Sequence, residues 1–109
     1  MNAGDLDREI YLQRAVKTTN AETGEEVIAY PTSERVWAQW LPGTTREGYL
    51  AAQRLEGTID GVFRIYFRDD IAADTHRVVW NGRVFDLKPP AEIGYREGLE
   101  LPVVARAEQ

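Results

Sequence analysis

Arg77-Val78-Val79-Trp80-Asn81-Gly82-Arg83-Val84-Phe85-Asp86-Leu87 is the stretch on which the fold turns. Two short apolar-rich runs flank Asn81-Gly82, and both of those residues tolerate the positive φ that a type I′ turn requires. The stretch therefore predicts two antiparallel strands joined by a two-residue turn, and Pro89-Pro90 ends the second of them. Just upstream, residues 61–68 alternate Phe63, Ile65 and Phe67 with Val62, Arg64, Tyr66 and Arg68, the period-two pattern of a strand with one buried face. Downstream, after the turn-like residues 92–98, residues 99–105 supply a last strand with Leu99, Leu101 and Val103 facing in. Pro102 has no N–H to give to a ladder, so it belongs at an edge or a bulge.

The same pattern extends toward the N-terminus. Ile10 and Leu12 alternate with Tyr11 and Gln13. Residues 17–26 are polar, carry Gly24 and read as a hairpin loop returning into Val27-Ile28-Ala29-Tyr30, which Pro31 closes. In residues 35–43, Val36, Ala38 and Trp40 share one face and Trp37, Gln39 and Leu41 the other, before Pro42-Gly43 stops the strand. Residues 44–57 differ. Thr44 followed by Glu47 can form a capping box, Leu50, Ala51 and Leu55 a narrow helical stripe, and Gly57 a stop. Gly48 costs such a helix about 1 kcal/mol relative to alanine. The expectation is a mainly β fold, a small antiparallel β-barrel or rolled sheet, with one short helix in a long inter-strand loop. Its core would include Ile10, Leu12, Val36, Ala38, Phe63, Ile65, Phe67, Val84, Phe85 and Leu101. Of the adjacent pair Val84 and Phe85, only one can enter a given layer.

At 109 residues the chain suits one domain, 1–109, with a single modest core. It has no cysteine, which excludes disulfides and thiolate metal sites. No apolar run approaches the ~20 residues that a membrane helix needs. Residues 1–6 lack the cationic and apolar regions of a secretory signal, so the expectation is a cytoplasm-like compartment. Thirteen Lys and Arg against eighteen Asp and Glu give a net charge of −5. That balance argues against phosphate binding as the main activity. It is compatible with DNA sliding past an acidic wall, to which Glu22, Glu25, Glu26 and Asp60 on predicted loops would contribute.

Three groups of residues invite chemistry. Asp69, Asp70, Asp74 and His76 offer four potential metal ligands in eight residues, yet Asp in a polar loop ordinarily forms turns through its own backbone. No phosphate-cradling glycine motif and no nucleophile motif accompanies them, so neither metal, cofactor nor catalysis is expected. Arg64, Tyr66 and Arg68 on one strand face resemble a basic-aromatic platform for single-stranded nucleic acid. In an acidic chain, a solvated outer face is the plainer account. Trp40 and Trp80 suit the core. Trp37, on the opposite face from Trp40, suits either a subunit contact, where Trp is enriched, or a second layer packed under the helix.

The opening Leu6-Asp7-Arg8-x-Ile10-x-Leu12-Gln13-Arg14, the run Val36-Trp37-Ala38-Gln39-Trp40-Leu41-Pro42, residues 45–57, the strand ending Asp69-Asp70, the Asn81-Gly82-Arg83-Val84-Phe85 hairpin and the closing Gly98–Val104 stretch occur in an order and spacing that resemble the phage head–tail joining family, also termed head-completion or stopper proteins. The resemblance runs from about Gly4 to Val104, and Pro102 departs from its usual closing strand. It implies a small β-barrel whose copies form a ring, a hexamer or dodecamer, at the head–tail junction of a tailed phage or gene-transfer particle. Portal or adaptor protein would lie on the head side and tail terminator or tail tube on the other. Duplex DNA would pass through the channel without sequence-specific binding, and assembly would occur in the bacterial host cytoplasm. Residues 42–59 map to the excursion that can project toward the channel. With Trp37, the expected interface and channel-loop residues are Arg46, Glu47, Tyr49, Leu50, Arg54, Leu55 and Glu56.

Overall fold

The computed structural model describes residues 3–43 and 59–106. After a short 3-10 turn, Ala3–Asp5, come nine strands: β1 (Arg8–Arg14), β2 (Val16–Thr19), β3 (Glu26–Ala29), β4 (Ser33–Pro42), β5 (Gly61–Tyr66), β6 (His76–Trp80), β7 (Arg83–Leu87), β8 (Ala91–Ile93) and β9 (Gly98–Ala105). All pairings are antiparallel. Six strands in the order β5-β4-β1-β6-β7-β9 close on themselves through β5–β9, so the expected β-barrel is present. The helix expected within residues 44–57 lies outside the described residues.

The barrel forms because each of its six strands turns an apolar face inward. Ile10 and Leu12, Ala38, Phe63 and Ile65, Val78, Phe85 and Leu87, and Leu99, Leu101 and Val103 fill one buried cluster. Trp40, Phe63, Trp80 and Phe85 make its aromatic centre, with ring centroids 4.6–6.3 Å apart in tilted and edge-on arrangements. Val36 packs against this cluster from a half-buried position. Two expected core residues do not join it. Phe85 takes the inward position of β7, so Val84 faces out opposite Val79. Phe67 lies beyond the end of β5, half-buried, with the Arg96 guanidinium 5.3 Å from its ring centre. The turn at Asn81-Gly82 has φ of 52° and 74°, as type I′ geometry demands.

Pro102 sits inside β9 rather than at a free edge, yet its missing N–H leaves no gap. One flank of β9 pairs with β5 from Gly98 to Val103; the other pairs with β8 from Gly98 to Glu100 and with β7 from Val103 to Ala105. From Leu87 opposite Val103 to Ala91 opposite Glu100, the β7–β8 side takes four steps where β9 takes three. That one-residue excess is a bulge, and Pro89 and Pro90 lie within it. The Lys88 N–H donates to the Pro102 carbonyl at 2.8 Å, so Pro102 directs its donor-less nitrogen at this interruption.

A second bulge leads into the most prominent feature outside the barrel among the described residues. β1 and β4 pair as far as Gln13–Ser33, and β2 and β3 resume at Val16–Ala29. The two-stranded ribbon is therefore the β1–β4 ladder continued beyond the barrel, with one extra residue around Tyr30-Pro31-Thr32. The sequence reading placed residues 17–26 in a loop. In the structure Lys17, Thr18, Thr19 and Glu26 are strand residues, and only residues 20–25 form the tip.

Candidate assembly surface

The described residues on either side of 44–58 meet at one point of the barrel. Pro42 pairs with Gly61, and the Gly43 N–H donates to the Asp60 carbonyl at 2.8 Å. The approach requires glycine: a Cβ on Gly43 would stand 2.9 Å from the Ile59 carbonyl oxygen. Gly61 likewise accepts the Trp40 ring where a Cβ would collide with its Cη2. On the outer side of this base, Ile59 and Val62 are buried with Leu41 and Val104 packed against them. Pro42 and Ile59, both included in the expected excursion, thus belong to the barrel body. Asp60, expected on a channel-facing loop, accepts the Ala105 N–H through its carboxylate and donates its own N–H to Val103 at 2.9 Å. Its charge secures the barrel end. Arg46, Glu47, Tyr49, Leu50, Arg54, Leu55 and Glu56 lie outside the described residues.

Trp37 projects from the outer face of β4 and is 49% exposed. Tyr66, at the end of β5, is 52% exposed. Each stands two residues beyond the Gln39–Arg64 rung on the same side of it, so together they flank the place where the β4–β5 ladder stops. Arg35 lies beside Trp37, its guanidinium 6.0 Å from the ring centre and in a loose 3.9 Å ion pair with Glu9. The Tyr11 hydroxyl donates to Glu9 at 2.7 Å, and this bond to a carboxylate raises the Tyr11 pKa. Trp37 is exposed among the described residues, and the helix of its second account lies outside them.

The platform Arg64-Tyr66-Arg68 is mostly spoken for. Arg64 donates through Nε and Nη2 to Glu100 at 3.2 and 3.1 Å. Arg68 forks onto Asp70 at 2.9 and 2.7 Å and reaches Glu34 at 2.8 Å. These carboxylates raise the Arg68 pKa, and Arg68 lowers that of Asp70. With both arginines held by carboxylates, Tyr66 alone offers a free stacking surface. The acidic loop shows the same economy. Asp70 is bound to Arg68, and His76 Nδ1 lies 2.8 Å from the Thr75 hydroxyl, its pKa lowered by burial. Among the described residues no three His, Asp or Glu side chains converge on a metal-sized site.

Sequence reasoning missed the ribbon as a surface. Val16, Val27 and Ile28 are 43%, 46% and 50% exposed. Its tip is ordered by local bonds: Asn20 Oδ1 accepts from the Glu22 N–H at 2.8 Å, the Gly24 N–H donates to the Asn20 carbonyl at 2.8 Å, and Gly24 takes φ 74°. Its root is clamped by Tyr30, whose ring lies 3.6 Å from the Arg77 guanidinium, while Arg77 Nε donates to Gln13 at 2.7 Å. The signal was adjacent Val27-Ile28: in a strand, neighbours face opposite ways, so both ribbon faces are apolar. Tyr95, 91% exposed in the β8–β9 turn, was also missed.

The barrel thus carries carboxylate-bound arginines and exposed apolar groups on its outside. No curated protein matches the chain. A family model described as phage head completion protein matches residues 1–106. The chain belongs to the phage head completion protein family, whose role is structural and lies at the head–tail junction of the virion.

Proposed function

We propose that this protein is a head–tail connector subunit whose copies form a ring below the portal or adaptor, close the DNA-filled head and present a docking surface to the tail, in a phage or a phage-like gene-transfer particle. The observation that carries this reading is the pinned base at Gly43 and Asp60. It lets a fifteen-residue segment, 44–58, be presented from one point of a barrel whose own ladder closes beneath it. Ring contacts can then involve Arg46, Glu47, Tyr49, Leu50, Arg54, Leu55 and Glu56 without cost to the barrel. The net charge of −5 favours passage of duplex DNA over retention.

The test is to replace residues 44–58 with a short Gly-Ser linker, keeping Gly43 and Ile59. The barrel should fold with an unchanged far-UV CD spectrum, and particles assembled with it should leak DNA or lack tails. Tailed, DNA-filled particles carrying the replacement would overturn the proposal. The alternative, a barrel binding single-stranded nucleic acid, is disfavoured by the carboxylates on Arg64 and Arg68, and salt-sensitive oligonucleotide binding would restore it.

A further inference from the structure

The ribbon and the Trp37–Tyr66 wall are separate exposed apolar patches of one barrel, the first beyond its end and the second on its side. Around the closed order β5-β4-β1-β6-β7-β9, the wall lies at the β4–β5 seam. The ribbon continues the β1–β4 ladder past the barrel end, and Tyr30 at its root leans over Arg77 of β6. Two different patches that meet between copies make a head-to-tail contact, the kind that closes into rings.

We propose that the ribbon, residues 16–29, of one copy docks on the β4–β5 wall of a second copy of this chain. This rests on the ring reading above and names the two surfaces that build it. Val16 and Val27, which share one ribbon face, pack against Trp37 and Tyr66, and the glutamates near the ribbon tip approach Arg35.

Three observations converge. A lone two-stranded ribbon is at best marginal in water, yet this one exposes Val16 and Val27 side by side on one face, and both gain by being covered. The charges also match. The ribbon carries Lys17 against Glu22, Glu25 and Glu26, whereas Arg35 on the wall has a 61% exposed side chain and only the 3.9 Å contact with Glu9. Finally, the wall is open at the backbone. The bonds Gly43–Asp60 and Lys88–Pro102 fix the alternation around the barrel, so odd-numbered residues of β4 direct N–H and C=O toward β5. The β4–β5 ladder begins only at Gln39, leaving the Arg35 and Trp37 backbones without a ladder partner on that side among the described residues. An open strand edge accepts an added strand, and each ribbon strand has one free edge to supply.

Because the chain has no cysteine, an engineered pair reports cleanly. Val27→Cys and Tyr66→Cys are placed together in the full chain, and the protein is oxidised under conditions where native mass spectrometry detects oligomers. The double variant should form a disulfide ladder longer than dimers, each single variant at most dimers, and the mixed single variants a mixed dimer. In the unmodified chain, exchange of the Arg35 and Trp37 amides should slow about tenfold or more on association. Oligomers that form without the ladder, and with unchanged exchange at both amides, overturn this docking mode and leave the ring reading standing. A chain that stays monomeric at its highest soluble concentration also overturns it, while the linker replacement separately decides the connector role.

Discussion

Gly61→Ala tests whether the barrel seam is packed as described. The added Cβ would collide with Cη2 of Trp40 and lie 2.7 Å from its Cζ2 and 2.7 Å from the Leu41 carbonyl oxygen. Leu41 is fixed by its rung to Val62, so the indole must move. That ring contacts Phe63 at 4.6 Å and Trp80 at 5.0 Å, contacts worth about 0.5–1.5 kcal/mol each. Overpacking itself costs about 1–3 kcal/mol. Together these give an expected loss of about 2–4 kcal/mol, a large share of the roughly 5–15 kcal/mol by which such domains are stable. Urea unfolding followed by tryptophan fluorescence measures it. Trp40→Phe removes both colliding atoms, so in a double-mutant cycle Gly61→Ala should cost far less when combined with Trp40→Phe than alone. Gly24→Ala is the control: it has open space around it and should lose only about 1–2 kcal/mol for its φ of 74°. A Gly61→Ala loss below about 0.5 kcal/mol, the level of an ordinary surface change, or strict additivity with Trp40→Phe, would refute the packing argument.

His76 is the only histidine, and burial depresses its folded pKa below the ordinary 6.5. The unfolded chain then binds a proton first as pH falls, so stability is full above about 6.5 and declines as pH drops through the folded pKa. Unfolding midpoints at pH 7.5 and 5.5 should show this decline, His76→Gln should flatten it, and an equal decline in the variant would count against it. Arg77→Ala removes both the stack on Tyr30 and the bond to Gln13, about 1–2 kcal/mol in sum. Hydrogen exchange should accelerate across residues 16–29 with the barrel strands unaffected, and uniform acceleration would show that the root does not secure the ribbon separately.

Much was legible in the sequence because period-two alternation records which face of a strand is buried. It located β1, β4, β5, β7 and β9, put Phe63, Ile65 and Leu101 in the core, and set Trp37 opposite Trp40. Asn81-Gly82 fixed one hairpin outright, since turn geometry is local. Alternation does not record which strand lies alongside, and that is where tertiary structure decided. Nothing local could say that the β1–β4 ladder runs on past the barrel as β2–β3, because a bulge becomes visible only when two registers are compared. The sequence favoured a solvated face over a platform for Arg64 and Arg68, but only folding brought Glu100 and Glu34 to them from 36 and 34 residues away. Pro102 is tolerated within a paired strand because Pro89-Pro90, distant in sequence, interrupts the neighbour at that point. Exposure itself belongs to the fold: Val27 and Leu101 are equally apolar, and only the closing of six strands leaves one outside and seals the other in.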